Sequence, residues 1–196
     1  ILEGEFMSII IMILLIGLLI LVHELGHLLT ALMFKTKVDN VFVKLCTCIM
    51  KQDLTDVKHF ISDELYNSYV SKINELKSAN KRQMYDEINV KNSSILNRSV
   101  LDDKEIINVM LVSRYMDYII DMNTGDLISG DDTRRIEKTN ILKFEKMLDT
   151  KKTNLVQKCP GCGASINVNN SGKCEYCDTI FDLKNYDYIL VSIETK

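Results

Sequence analysis

Between Met7 and Val22 the chain reads MSIIIMILLIGLLILV, with no charge and with Ser8 as its one polar side chain. After His23-Glu24 it turns apolar again, through LGHLLTALMF, as far as Phe34. In hydrocarbon the backbone polar groups of such a stretch can bond only to each other, and a single segment achieves that as a helix. As a helix the stretch from Met7 to Phe34 measures roughly 42 Å. A hydrocarbon core is about 30 Å thick, so the helix either tilts or lays its last turns at the interface. The rival reading, a cleaved secretory leader, calls for a basic n-region and a small-x-small cleavage site. Here the acidic ILEGEF precedes the run, and no such site follows. The expectation is therefore one transmembrane helix over residues 7–34, with Met7 as a candidate start residue.

Flanking charge sets the expected orientation. Glu3 and Glu5 precede the run; Lys35, Lys37 and Lys44 follow it. Basic flanks stay cytoplasmic, which places the rest of the chain in the cytoplasm of a single-pass cell-membrane protein. Residues 1–34 hold three acids and no Lys or Arg, so the remainder carries 24 basic and 24 acidic side chains that cancel. A nucleic-acid-binding domain calls for a basic excess; none is present, and no nucleic-acid partner is expected.

Two motifs carry metal chemistry. Cys159-Pro-Gly-Cys162 and Cys174-Glu-Tyr-Cys177 are paired CxxC units. Two such units supply the four thiolates of a closed tetrahedral zinc site, a zinc ribbon over 158–181. Four sulfurs leave no open position for water, so this zinc is structural. Iron held as in rubredoxin fits the same ligand count. Within the apolar run, His23-Glu24-Leu25-Gly26-His27 matches HExxH. A spacing of four puts both imidazoles on one helix face as candidate ligands of a second zinc, with Glu24 as the candidate base. Ionisable groups inside an apolar helix are costly unless paired, liganded or functional.

Elsewhere the periodicities suggest a helical layer followed by strands. Val38–Gln52 reads as a helix with Val41, Leu45, Cys48 and Ile49 on its core face and Cys46 pointing elsewhere. Helix also runs from about Thr55 to Ala79; Ser62-Asp63-Glu64-Leu65 opens its longer part, and Leu65, Tyr69, Ile73 and Leu76 recur on one face. From Met84 the period shifts toward two, with a loop expected at Asn92–Ser94. Ile106–Asp121 gives the strongest strand signal. Thr124-Gly125-Asp126 reads as a turn, Ser129–Asp132 as a loop, Ile136–Leu148 as a strand with Leu142, Phe144 and Leu148 inward, and Tyr186–Ile193 as the last strand. Tyr115, Tyr118 and Phe144 are expected to fill the core or line a pocket. The fold class is α+β, helices on a curved antiparallel sheet.

Two resemblances follow from these phrases. GLLILVHELGHLLTALMFKTKV is similar to the first transmembrane helix of the site-2 protease family of intramembrane zinc metalloproteases. That resemblance implies His23 and His27 as ligands and Glu24 as base. The family's third ligand, an Asp in a later transmembrane segment, has no counterpart here, since no second apolar span follows. NVFVKLCTCIMKQDLTDVKHFISDELYNSYVSKINELK resembles the opening helices of the Tim44-like domain family. MDYIIDMNTGDLISGD resembles its central hairpin, and YDYILVSI its last strand. This implies a Tim44-like domain of NTF2/cystatin-like shape over 38–195, with the zinc ribbon inserted before the last strand. Mitochondrial relatives attach import machinery to the inner membrane, and bacterial ones are commonly membrane-tethered.

The function expected from these readings is a membrane-anchored, non-enzymatic binding or scaffold protein with a structural zinc, touching membrane lipid and a protein partner. One alternative is a zinc metalloendopeptidase of the site-2 protease kind, or an inactive piece of one. The other is a nucleic-acid-binding ribbon. Whether there is a small-molecule substrate is left open by the sequence.

Overall fold

The structure, a computed structural model, describes residues 2–148, 157–159, 163–166, 176–177 and 187–196. The chain forms two compact units, 1–38 and 39–196. Helix α1 (Leu2–Lys51) contributes to both, and a 3-10 turn (Thr55–Phe60) and α2 (Asp63–Ser78) follow it. The strands are β1 (Lys81–Leu101), β2 (Lys104–Asp121), β3 (Leu127–Met147), the two-residue pieces β4 (Gln157–Lys158) and β5 (Ser165–Ile166), and β6 (Ile189–Thr195).

The expected apolar helix and the expected helix at Val38–Gln52 are one continuous α1. No Gly or Pro lies between Gly26 and Lys51 to break it, and the Thr36 hydroxyl bonds back to the Leu32 carbonyl at 3.0 Å. α1 stops where Gln52 takes a left-handed conformation (φ 55°). The Gln52 and Asp53 amides then donate to the Ile49 and Cys48 carbonyls, the paired bonds of a Schellman ending. Glycine usually occupies that position. Here the Gln52 side chain compensates by donating to the Lys81 carbonyl at 2.9 Å.

Ser62 caps α2 as its position suggests, its hydroxyl accepting from the Leu65 amide at 3.2 Å. Ile73 is buried at the middle of the expected face. Ahead of it, Asp53 accepts from both the amide and the hydroxyl of Thr55, opening the 3-10 turn that buries Val57 and Phe60.

The main sheet is antiparallel in the order β1-β2-β3-β6. β2 is central and shows the cleanest alternation: Ile107, Val109, Leu111, Ser113 and Tyr115 are buried, with more exposed neighbours between them. Leu142 and Phe144 from β3 and Leu190 from β6 extend this inner face and are fully buried. From α1, Val41, Phe42, Leu45, Cys48 and Ile49 are buried as well. Cys46 corrects the sequence reading: it too is buried, because this end of the helix is covered on more than one side.

Two expected loops are strand. Asn92–Ser94 lies within β1, where register shifts against β2 on either side absorb the extra residues as bulges. Ser129–Asp132 lies within β3. Tyr115 pairs with Ile136 and Asp117 with Asp131, so four residues of β3 stand against Met116 alone. Asp131 Oδ1 holds this bulge by accepting from the Thr133 and Arg134 amides at 2.9 Å each. Gly130 sits opposite Tyr118 with φ 89°, and a Cβ there would lie 2.6 Å from the Tyr118 Cα. Only glycine lets the two strands approach so closely. The turn before it is where Thr124-Gly125-Asp126 places it: Asp121 Oδ1 caps the Asn123 and Thr124 amides, and Gly125 has φ 79°.

Candidate functional site

Three places among the described residues gather chemistry. The first is the imidazole pair in α1. One turn apart, His23 and His27 stack edge to face, with ring centroids 4.5 Å apart and Nε2 atoms 3.0 Å apart. Both are exposed. The Thr30 hydroxyl is committed to the His27 carbonyl at 2.9 Å. The two rings are thus hydrogen-bonded to each other, one nitrogen donating and the other accepting. Among the described residues no group of three His, Cys, Asp or Glu is placed to hold a metal, so Glu24 does not complete a set with them.

The second is the cysteine region between β3 and β6. β4 and β5 pair as a small hairpin, Gln157 with Ile166 and Lys158 with Ser165. At its turn the Cys159 amide donates to the Ala164 carbonyl at 2.8 Å and the Gly163 amide to the Cys159 carbonyl at 2.9 Å; Gly163 has φ 72°. The buried Cys159 and the exposed Cys177 bring their sulfurs to 3.6 Å. That separation is far beyond the roughly 2.0 Å of a disulfide. It is close to the ~3.8 Å between two thiolates held tetrahedrally at about 2.3 Å from one zinc. Cys162 and Cys174 lie outside the described residues.

The third is a polar and aromatic cluster on the inner face of the sheet. Tyr115 packs edge-on against Tyr85, 5.5 Å between centroids, and lies 6.4 Å from Phe42 of α1. Lys138 bonds Asp117 at 2.5 Å and lies over the Tyr115 ring at 5.7 Å. Gln83 donates to the other Asp117 oxygen at 2.7 Å. Burial raises the ionisation of Tyr85 and Tyr115 well above the usual phenol range, and the nearby Cys46 adds to it. Burial pushes the Cys46 thiol itself up to about 12, with Asp117 contributing. These groups therefore stay neutral at physiological pH and act as hydrogen-bonding and packing groups, not as nucleophiles. Close by in the register, Ser113 Oγ and Asn140 Nδ2 are buried without a hydrogen-bond partner among the described residues, a cost of about 1–3 kcal/mol each.

Residues 30–155, well over half of the chain, match the Tim44-like domain family. The chain belongs to that family. No curated protein matches it. The Tim44-like match takes in the end of α1, α2 and all of β1, β2 and β3, so the aromatic and polar cluster lies within the family domain. The imidazole pair precedes the matched stretch, and the two CxxC pairs follow it.

Tyr115 and Phe144 are core residues, 5 % and 0 % exposed. Tyr118 is partly exposed on the opposite face and donates to Asp86. Sequence reasoning did not find the Asp117–Lys138–Gln83 network. The pattern Tyr115-x-Asp117 on a strand puts those two on one face, but Lys138 joins them only through the β2–β3 register. It likewise missed Glu105, buried on β2 and held by Arg98 and by the Tyr188 hydroxyl at 2.5 Å.

Proposed function

We propose that this chain is a membrane-anchored, non-enzymatic scaffold whose Tim44-like domain binds a protein partner. The observation that carries this reading is the combination of a Tim44-like domain with a helix, α1, long and apolar enough to cross a membrane. The lysines that follow the apolar run support a cytoplasmic position for the domain. The inner-face cluster offers packing and hydrogen-bonding groups but no nucleophile with its base, which suits binding. Two measurements test the reading. The full chain is expected to stay in membranes washed with alkaline carbonate and to cross-link to a defined protein in its native membrane. Release by carbonate, or partner-free recovery of a substrate-cleaving activity, overturns it.

Cys159, Cys162, Cys174 and Cys177 are proposed to hold a structural zinc that closes the segment between β3 and β6. The 3.6 Å sulfur pair and the hairpin turn at Cys159 support it. The zinc content of wild type minus that of Cys174→Ser is expected to be one equivalent per chain by metal analysis; full retention in that variant refutes the assignment. A second reading, an intramembrane zinc metallopeptidase, is favoured by the convergence of His23 and His27. It stands second because no third ligand joins them among the described residues. Peptide cleavage by the purified chain, abolished in Glu24→Gln, would establish it.

A further inference from the structure

We infer that α1 carries a metal site completed by a second copy of this chain, with four imidazoles around one divalent cation. The inference rests on the membrane-spanning reading above. Ile13, Ile16, Ile20, His23, His27 and Thr30 follow one another at spacings of three, four, three, four and three. That alternation is the a/d seam along which two helices pack knobs into holes. All six are exposed. Three successive seam positions are β-branched isoleucines, and the polar pair takes the next two. Lipid covers isoleucine without cost. It offers nothing to the ring nitrogens left over once the two imidazoles have bonded to each other, and polar groups at membrane depth face protein partners, ions or water.

The His23 and His27 Nε2 atoms share a hydrogen bond at 3.0 Å; a cation that displaces the shared proton finds two ligand nitrogens from one chain, which leaves a four-coordinate site half filled. Two copies of a single-pass chain insert with the same orientation, so their seams meet in parallel about a two-fold axis. The axis brings the same pair from the other copy to the same point. The resulting set of four imidazole nitrogens suits a borderline cation of the zinc or cobalt class. Glu24 follows His23 at the position flanking the seam, and the two copies together supply two carboxylates to balance a divalent charge in a medium of low dielectric constant. The site differs from a peptidase centre, which keeps a coordination position open for water.

The test uses the full chain reconstituted with zinc in neutral phosphatidylcholine vesicles, after carbonate washing confirms that it is integral. Metal content of wild type minus that of His23→Ala/His27→Ala is expected to be half an equivalent per chain. Disulfide cross-linking of Ile16→Cys, on the seam, is expected to rise at least fivefold with zinc. It should exceed that of Leu18→Cys, on the opposite face, and lose its zinc dependence when both histidines are replaced. A difference of one equivalent, or of none, overturns the shared site, and so does equal cross-linking at positions 16 and 18. A chain that carbonate washes out overturns the membrane reading and this site with it; an integral chain without the half equivalent overturns the site alone.

Discussion

The two ends of α1 belong to one uninterrupted helix, yet they are built for different surroundings. From Leu14 to Leu29 the leucines are about half to two-thirds exposed, Leu19 reaching 70 %. From Val41 to Ile49 the core residues are below 8 %, and Leu45 is at 1 %. The first stretch is apolar almost all round and needs an apolar solvent. The second is apolar at spacings of three and four, and needs the Tim44-like sheet and its helical cover. Composition and period thus report separate things: composition names the medium, and period names the face that packs.

The largest expected effect breaks that contrast at matched residues. Leu45→Ala removes methyls from a closed core and should cost about 2–5 kcal/mol of domain stability by urea unfolding. Leu18→Ala should leave the same midpoint unchanged. A shared loss would show that the exposed stretch also packs on protein.

Charge sharpens the contrast from the other side. Leu18→Arg should weaken insertion by about 2.5–3.5 kcal/mol, seen as chain released by carbonate, with the urea midpoint of the domain held. If insertion is unaffected, the apolar run does not lie across the bilayer.

A smaller difference lies at the start of α2. Ser62→Ala removes the cap on the Leu65 amide and should cost about 1 kcal/mol, again with membrane retention unchanged. The urea midpoint reads it directly, and an unchanged midpoint would mean that water replaces the hydroxyl.

The smallest effect is in acid. Burial opposes charge on Glu105, but the Tyr188 hydroxyl and the Arg98 guanidinium outweigh it and hold its pKa below the ordinary 4.5. A carboxyl depressed in the folded state contributes stability above its unfolded pKa and loses it as pH falls through the folded value. The urea midpoint should therefore decline below about pH 4.5, and less steeply in Glu105→Gln; identical slopes would show that other carboxyls carry the acid response. The apolar run of α1 should hold the chain in the membrane throughout.

Where one segment settles its own conformation, the sequence was sufficient. Ser62 opens α2, Gly125 makes its turn, and the alternation in Ile106–Asp121 marks the central strand. Leu142 and Phe144 point inward as their spacing requires. Reading failed where a neighbouring strand overrides local chemistry. Asn92–Ser94 and Ser129–Asp132 carry turn-forming residues, yet pairing with β2 keeps them extended and converts the surplus into bulges. A spacing of three and four marks one buried face and leaves Cys46 outside it, whereas Cys46 is buried as well. Of the candidate sites, the cysteine and histidine spacings were visible at once because they are local. The Asp117–Lys138 pair was not, because twenty residues and a four-residue bulge separate its members along the chain.

The burial of Cys46 gives the domain an internal timer. Burial holds its thiol far above neutrality, so almost none of it is the reactive thiolate at pH 7, and the side chain is only 6 % exposed. An alkylating probe reaches this sulfur only when the end of α1 lifts from the sheet. The rate of modification at Cys46 therefore measures how often the domain opens there. A partner that clamps the domain shut would slow that clock, and one that works by prising it open would speed it.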